Sequence, residues 1–100
     1  MSIQSFAIKT VSGVHLGFLA MTTDNHQQGQ VMIKAQTIDE NTQNLPEFKA
    51  LKNLENCSFI WQIKGEKVVI FNDEISFSLH NGVLSYQKYS FILNDLTGAL

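Results

Sequence analysis

Apolar and polar positions alternate with a period of two along most of the chain, as in β-strands, whose successive side chains point to opposite faces. Ile3, Phe6 and Ile8 lie in a first apolar segment that closes at Val11-Ser12-Gly13, where the glycine permits a turn. From Val14 to Met21 both phases are apolar. Val14, Leu16, Phe18 and Ala20 share one face, and His15, Gly17, Leu19 and Met21 the other. That pattern predicts a central strand covered on both sides. Val31, Ile33 and Ala35 mark a third strand. The polar stretches 22–30 and 36–45 read as loops.

The period changes once. Pro46 suits a first helical turn, because its missing N–H has no intrahelical partner there. Phe48, Leu51 and Leu54 follow at three-residue spacing, predicting a helix over 46–55. Asn44 is the predicted N-cap, with Lys49, Lys52 and Glu55 on the outer side.

Alternation then resumes. Phe59, Trp61 and Ile63 precede a turn at Gly65, and Lys67–Phe71 precedes one at Asn72-Asp73. Ile75, Phe77 and Leu79 alternate with Ser76, Ser78 and His80 up to Asn81-Gly82, a type I′ hairpin signal. The return strand carries Leu84 and Tyr86, then Tyr89, Phe91 and Leu93. Its apolar phase slips by one, which predicts a bulge at Gln87-Lys88. Residues 96–100 read as a loose tail. The expected fold class is α+β: a mainly antiparallel, strongly curved sheet or partly open small barrel of about seven strands. Its order is three strands, one short helix and a four-strand meander, with a two-sheet sandwich as the alternative.

One hundred residues, 44% of them hydrophobic, suit a single domain spanning 1–100 around one core. Charged residues are only 16%, and all seven basic side chains are lysine. Without arginine, bidentate clamps on phosphate or guanine are unavailable. The net charge of -2 further disfavours a grip on nucleic acid. The N-terminal residues lack the pattern of a secretory signal, and no apolar run is long enough for a transmembrane helix; a cytoplasmic protein is the expectation. The lone Cys57 fits a reducing compartment or a cofactor-free exported form.

No constellation points to catalysis, a cofactor or a metal. Asp24 and His26 form an isolated D-x-H pair, and metal sites need more ligands than that. Cys57 follows the predicted helix, where the negative end of the dipole disfavours a thiolate nucleophile. Asp73 and Glu74 occupy a turn, and no two carboxylates are forced onto one wall. The balance points away from an enzyme.

The binding candidates are therefore the polar loops 22–30 and 36–45, with Asp24, Asn25, His26, Asp39 and Glu40, and the aromatic anchors Trp61, Tyr86 and Tyr89. Their mildly acidic, amide-rich surface suits a basic protein partner. The expected function is a non-catalytic protein-binding role of the inhibitor, immunity or accessory type. A different class of function is a small-molecule pocket lined by Phe18, Trp61 and Phe77, with His15 or a tyrosine hydroxyl to orient the ligand. Strands apolar on both faces also predict that either the sheet closes on itself or a second copy, in a two-fold homodimer, covers what one helix cannot.

Overall fold

Eight strands and one helix account for most of residues 2–25 and 27–96, which a computed structural model of the chain describes. In chain order these are β1 (Ser2–Thr10), β2 (His15–Asn25), β3 (Gln28–Ala35), α1 (Pro46–Glu55), β4 (Phe59–Lys64), β5 (Lys67–Phe71), β6 (Ser76–His80), β7 (Val83–Tyr86) and β8 (Tyr89–Asp95). Each strand pairs antiparallel with the next. β8 returns to β1, from Phe6↔Asp95 to Thr10↔Phe91, and closes the barrel. The fold is thus the expected small curved sheet with one helix, but closed and eight-stranded rather than partly open with about seven.

The extra strand comes from Gln87-Lys88. Gln87 adopts a positive φ of 54°, and Tyr86 pairs directly with Tyr89, so the phase slip is a two-residue turn and not a bulge. Asn81 (φ 51°) and Gly82 (φ 77°) make the β6–β7 turn as their sequence predicts.

The polar stretch 22–30 is another correction. Thr22, Thr23, Gly29 and Gln30 belong to the ladder between β2 and β3. Their polarity reflects the barrel's end, not an excursion of the chain. The expected tail at 96–100 lies outside the described residues beyond Leu96, whose N–H donates to the Ser5 carbonyl oxygen at 2.8 Å.

β2 carries a bulge. Ile8 pairs with Gly17 and Lys9 with His15, leaving Leu16 as an additional residue. The insertion turns both Leu16 and Leu19 inward, each fully buried, and leaves His15 and Phe18 outside. The two faces foreseen for this strand are therefore exchanged beyond Leu16. Nor is the outer face covered: Phe18 is 37% exposed.

The barrel interior is filled with side chains. Ile8, Leu16, Leu19, Val31, Ile70, Leu84 and Phe91 are among its buried members. α1 completes the wall. β3 pairs with β4 only from Gln28↔Gln62 to Val31↔Phe59, and the remainder of β3 lies against the helix. Phe48, Leu51 and Leu54 face inward as the spacing predicts. Asn44, however, ends a short 3-10 helix (Thr42–Asn44), and the N-cap of α1 is Leu45, without a side-chain cap bond. Glu55, predicted to face away, instead accepts a hydrogen bond from the Ala35 N–H at 2.7 Å.

Candidate functional site

An up-and-down barrel sends alternate connections to opposite ends. The β2–β3 end of the barrel carries Asp24 and Asn25, both exposed, whereas Asp39 and Glu40 lie in the loop that leaves the far end of β3. Eight residues of β3 separate them, about 25 Å at the usual strand rise. The two polar stretches therefore do not form one surface. Asn25 is engaged locally, its side-chain oxygen accepting from the Gln27 N–H at 3.0 Å. His26 lies outside the described residues.

The aromatic candidates also separate. Trp61 and Tyr86 are buried at 5% and 7% exposure and act as core rather than anchors. The Trp61 indole N–H donates to the Thr22 carbonyl oxygen at 2.8 Å, reaching across β3 at Gly29. Tyr86 stacks edge-on against Phe77, which stacks against Phe59. Tyr89 is half-buried, with the Lys88 ammonium 5.5 Å from its ring centre. Phe18 faces outward while Trp61 and Phe77 face inward, so these three residues do not line a common cavity.

What the structure does assemble is a rim at the end of the barrel that holds the β1–β2 turn and the loop 36–45. Thr10 fixes the turn: its hydroxyl oxygen accepts from the Val14 N–H at 3.0 Å, and its carbonyl accepts from Gly13 at 2.9 Å. Gly13 supplies the positive φ of 97° that the turn needs. The loop is anchored by Gln36, whose N–H donates to the Leu16 carbonyl at 2.8 Å, and by buried Thr42. Asp39 starts a second tight turn by accepting from the Asn41 N–H at 2.9 Å.

Between the turn and the loop lies an open cleft of about 480 Å³. Val14, Phe18 and Ile38 form its apolar walls, and His15 and Asp39 stand among its polar groups. The His15 and Phe18 rings meet edge-on with centroids 4.9 Å apart. Ile38 is 102% exposed and Val11, on the adjoining turn, 73%. Sequence alternation missed this site because it placed Phe18 on the same face as Leu16. Among the described residues, no three His, Cys, Asp or Glu side chains approach closely enough to hold a metal ion, and no helix is long and apolar enough to cross a membrane.

Residues 3–100 match the family described as HLGFF-containing, Neisseriales. The chain belongs to that family. Its label spells His-Leu-Gly-Phe-Phe, which stands here as His15-Leu16-Gly17-Phe18-Leu19, with leucine in the fifth place. Neither a curated protein nor a solved structure matches the chain.

Packing accounts for three of the five positions. Leu16 and Leu19 fill the core, and a large apolar side chain of either kind serves the fifth place. Gly17 has no room for a Cβ, which would collide with the Lys34 carbonyl oxygen across the ladder. His15 and Phe18 have no such explanation. They project from the barrel into the cleft at the rim.

Proposed function

We propose that this chain is a non-catalytic binding protein that holds another protein against the rim built by the β1–β2 turn and the loop 36–45. The observation that carries this reading is the group of exposed apolar side chains around the cleft, with Ile38 at full exposure beside half-exposed Phe18. An isoleucine and a valine standing in water at neighbouring turns have no packing role. A partner that buries them gains on the order of 25 cal/mol per Å² of apolar surface removed from water.

Asp39 and Glu40 on the loop outnumber Lys9, which pairs with His15 beside the turn, and the whole chain carries -2. Both features favour a partner surface with an apolar side chain flanked by lysine or arginine, steered by modest electrostatics. Of the two polar stretches only 36–45 lies at this rim; 22–30 belongs to the β2–β3 end of the barrel.

A photo-crosslinking side chain at Thr37 tests the reading in cells. It should capture a discrete partner, and Ile38→Asp in the same chain should abolish the adduct. The same probe at Ser78, on the opposite side of the barrel, should capture none. Equal adducts at both positions, or an adduct indifferent to Ile38→Asp, would reject the rim as the binding surface.

A further inference from the structure

The outside of the barrel is not uniform. Across β6, β7 and β8 the outward positions Ser78, Ser85 and Ser90 form one paired row of hydroxyls, as expected of a wall facing water. Across β1 to β4 the outward rows read differently. One runs Ala7–Phe18–Lys34, with Ala7 itself buried, the next Ser5–Ala20–Met32, and a third Ile3–Thr22–Gln30–Ile60. Ile3, Met32 and Ile60 are 60%, 71% and 48% exposed. Lys34 is the one charged residue in the three rows.

We propose that this face docks a second copy of the same chain, with its strands antiparallel to the first across a two-fold axis near Ala20 and Met32. Three features select that occupant. First, an almost uncharged surface has no electrostatic preference for a charged partner, whereas its own copy matches it in polarity. Second, the row that carries the axis is matched to itself: Ala20 meets Ala20 and Met32 meets Met32 of the partner subunit, beside an open groove of about 420 Å³ that also touches Ser5, Phe18 and Leu96, as residues on the axis of an isologous interface must.

The third feature is charge placement. Lys34 flanks the face at one end, and Asp24 is exposed at the opposite end of β2. Antiparallel packing brings Lys34 of each copy toward Asp24 of the partner subunit, twice over. Parallel packing would set lysine against lysine.

Size sets the strength. Four strands at ~4.8 Å spacing and six residues at ~3.3 Å cover on the order of 400 Å² in plan. Standard specific interfaces bury ~800 Å² per partner, so this one belongs to the weaker class. Self-association in the micromolar range is the consequence. Ile38 lies outside the rows, but Phe18 lines both the rim cleft and this face, so the two surfaces meet at that ring, whereas Met32 belongs to this face alone.

Sedimentation of the intact chain at up to about 500 µM should show a monomer–dimer equilibrium, and a monomer throughout overturns the proposal. Met32→Asp, at a site too exposed to disturb folding, should leave only monomer; a dimer that survives it overturns the assigned face. Lys34→Glu should weaken dimerisation by about tenfold, and adding Asp24→Lys should restore it. Failure of that rescue overturns the antiparallel arrangement. In a Cys57→Ser background, a short bismaleimide should link Met32→Cys chains to one another and leave Ser85→Cys chains unlinked. The reverse pattern would place the interface on the serine side.

Discussion

At the scale of single residues, two glycines do work that no side chain can. Gly17 lies where β2 and β3 approach so closely that any Cβ meets the Lys34 carbonyl. Because the obstacle is backbone, the ladder itself must shift. Gly17→Ala should therefore cost on the order of 2–3 kcal/mol, within the range of overpacked cores, and lower the thermal midpoint in a calorimetric scan. The neighbouring Phe18→Ala should cost less than about 1 kcal/mol, because that ring is already partly in water. If the two substitutions prove equally damaging, Phe18 belongs to the core and the reading of its outward role fails. Gly29 offers an optical version of the same argument. A Cβ there would strike both the Thr22 carbonyl and the Trp61 indole nitrogen, the two ends of one hydrogen bond. Gly29→Ala should break that bond and shift the emission of the lone tryptophan, while Gly65→Ala, at an open turn, should leave it unchanged.

At the scale of elements, the joint between β3 and α1 explains what alternation of apolar residues can and cannot convey. Phe48, Leu51 and Leu54 announce the helix because burial demands their spacing, and its bounds at Pro46 and Glu55 follow. The turns at Gly65 and Asn81-Gly82 are equally legible, since both sites require positive φ. Two features escape such reading. A bulge changes the face of every residue beyond it, and nothing in the order Val14 to Met21 distinguishes Leu16 as the inserted residue. Gln87-Lys88 turns without glycine, asparagine or proline, so the eighth strand hides inside the seventh. The rim cleft depends on the first of these features, and for that reason simple alternation sets its two rings, His15 and Phe18, on opposite faces. The Glu55 carboxylate is a third case, because only the fold shows that β3 needs an acceptor where β4 diverges. It takes the Ala35 N–H at 2.7 Å and lies 3.8 Å from the Lys52 ammonium. Glu55→Ala should lose about 1.5 kcal/mol through the unpaired strand amide, and Glu55→Gln, which keeps an acceptor, less than half of that. Amide hydrogen exchange at Ala35 checks the assignment directly, with protection lost in the first variant and largely kept in the second.

At the scale of the whole molecule, closure of the barrel depends on its most distant partners in sequence. β5 to β8 are joined by tight turns and pair with their neighbours at once. β1 pairs with β8 only when Phe6 meets Asp95, 89 positions on by their numbers. Loop-closure entropy opposes that contact until the intervening sheet is in place, so closure should come after the transition state for folding. Two leucines distinguish early from late structure. Leu84 pairs with Leu79 and Phe91 inside consecutive hairpins, whereas Leu93 pairs with Ile8 across the closing seam. Both are buried in the same core, and replacing either by alanine should cost about 3 kcal/mol at equilibrium. The kinetic consequences should differ. Leu84→Ala should slow refolding, because its contacts form in the nucleus, while Leu93→Ala should leave refolding nearly unchanged and accelerate unfolding. Stopped-flow measurements at submicromolar protein, where the dimer proposed above is dissociated, separate the two rates without interference from assembly. A refolding rate lowered as much by Leu93→Ala as by Leu84→Ala would mean that the chain's two ends meet first, and that the meander is threaded onto a seam already made.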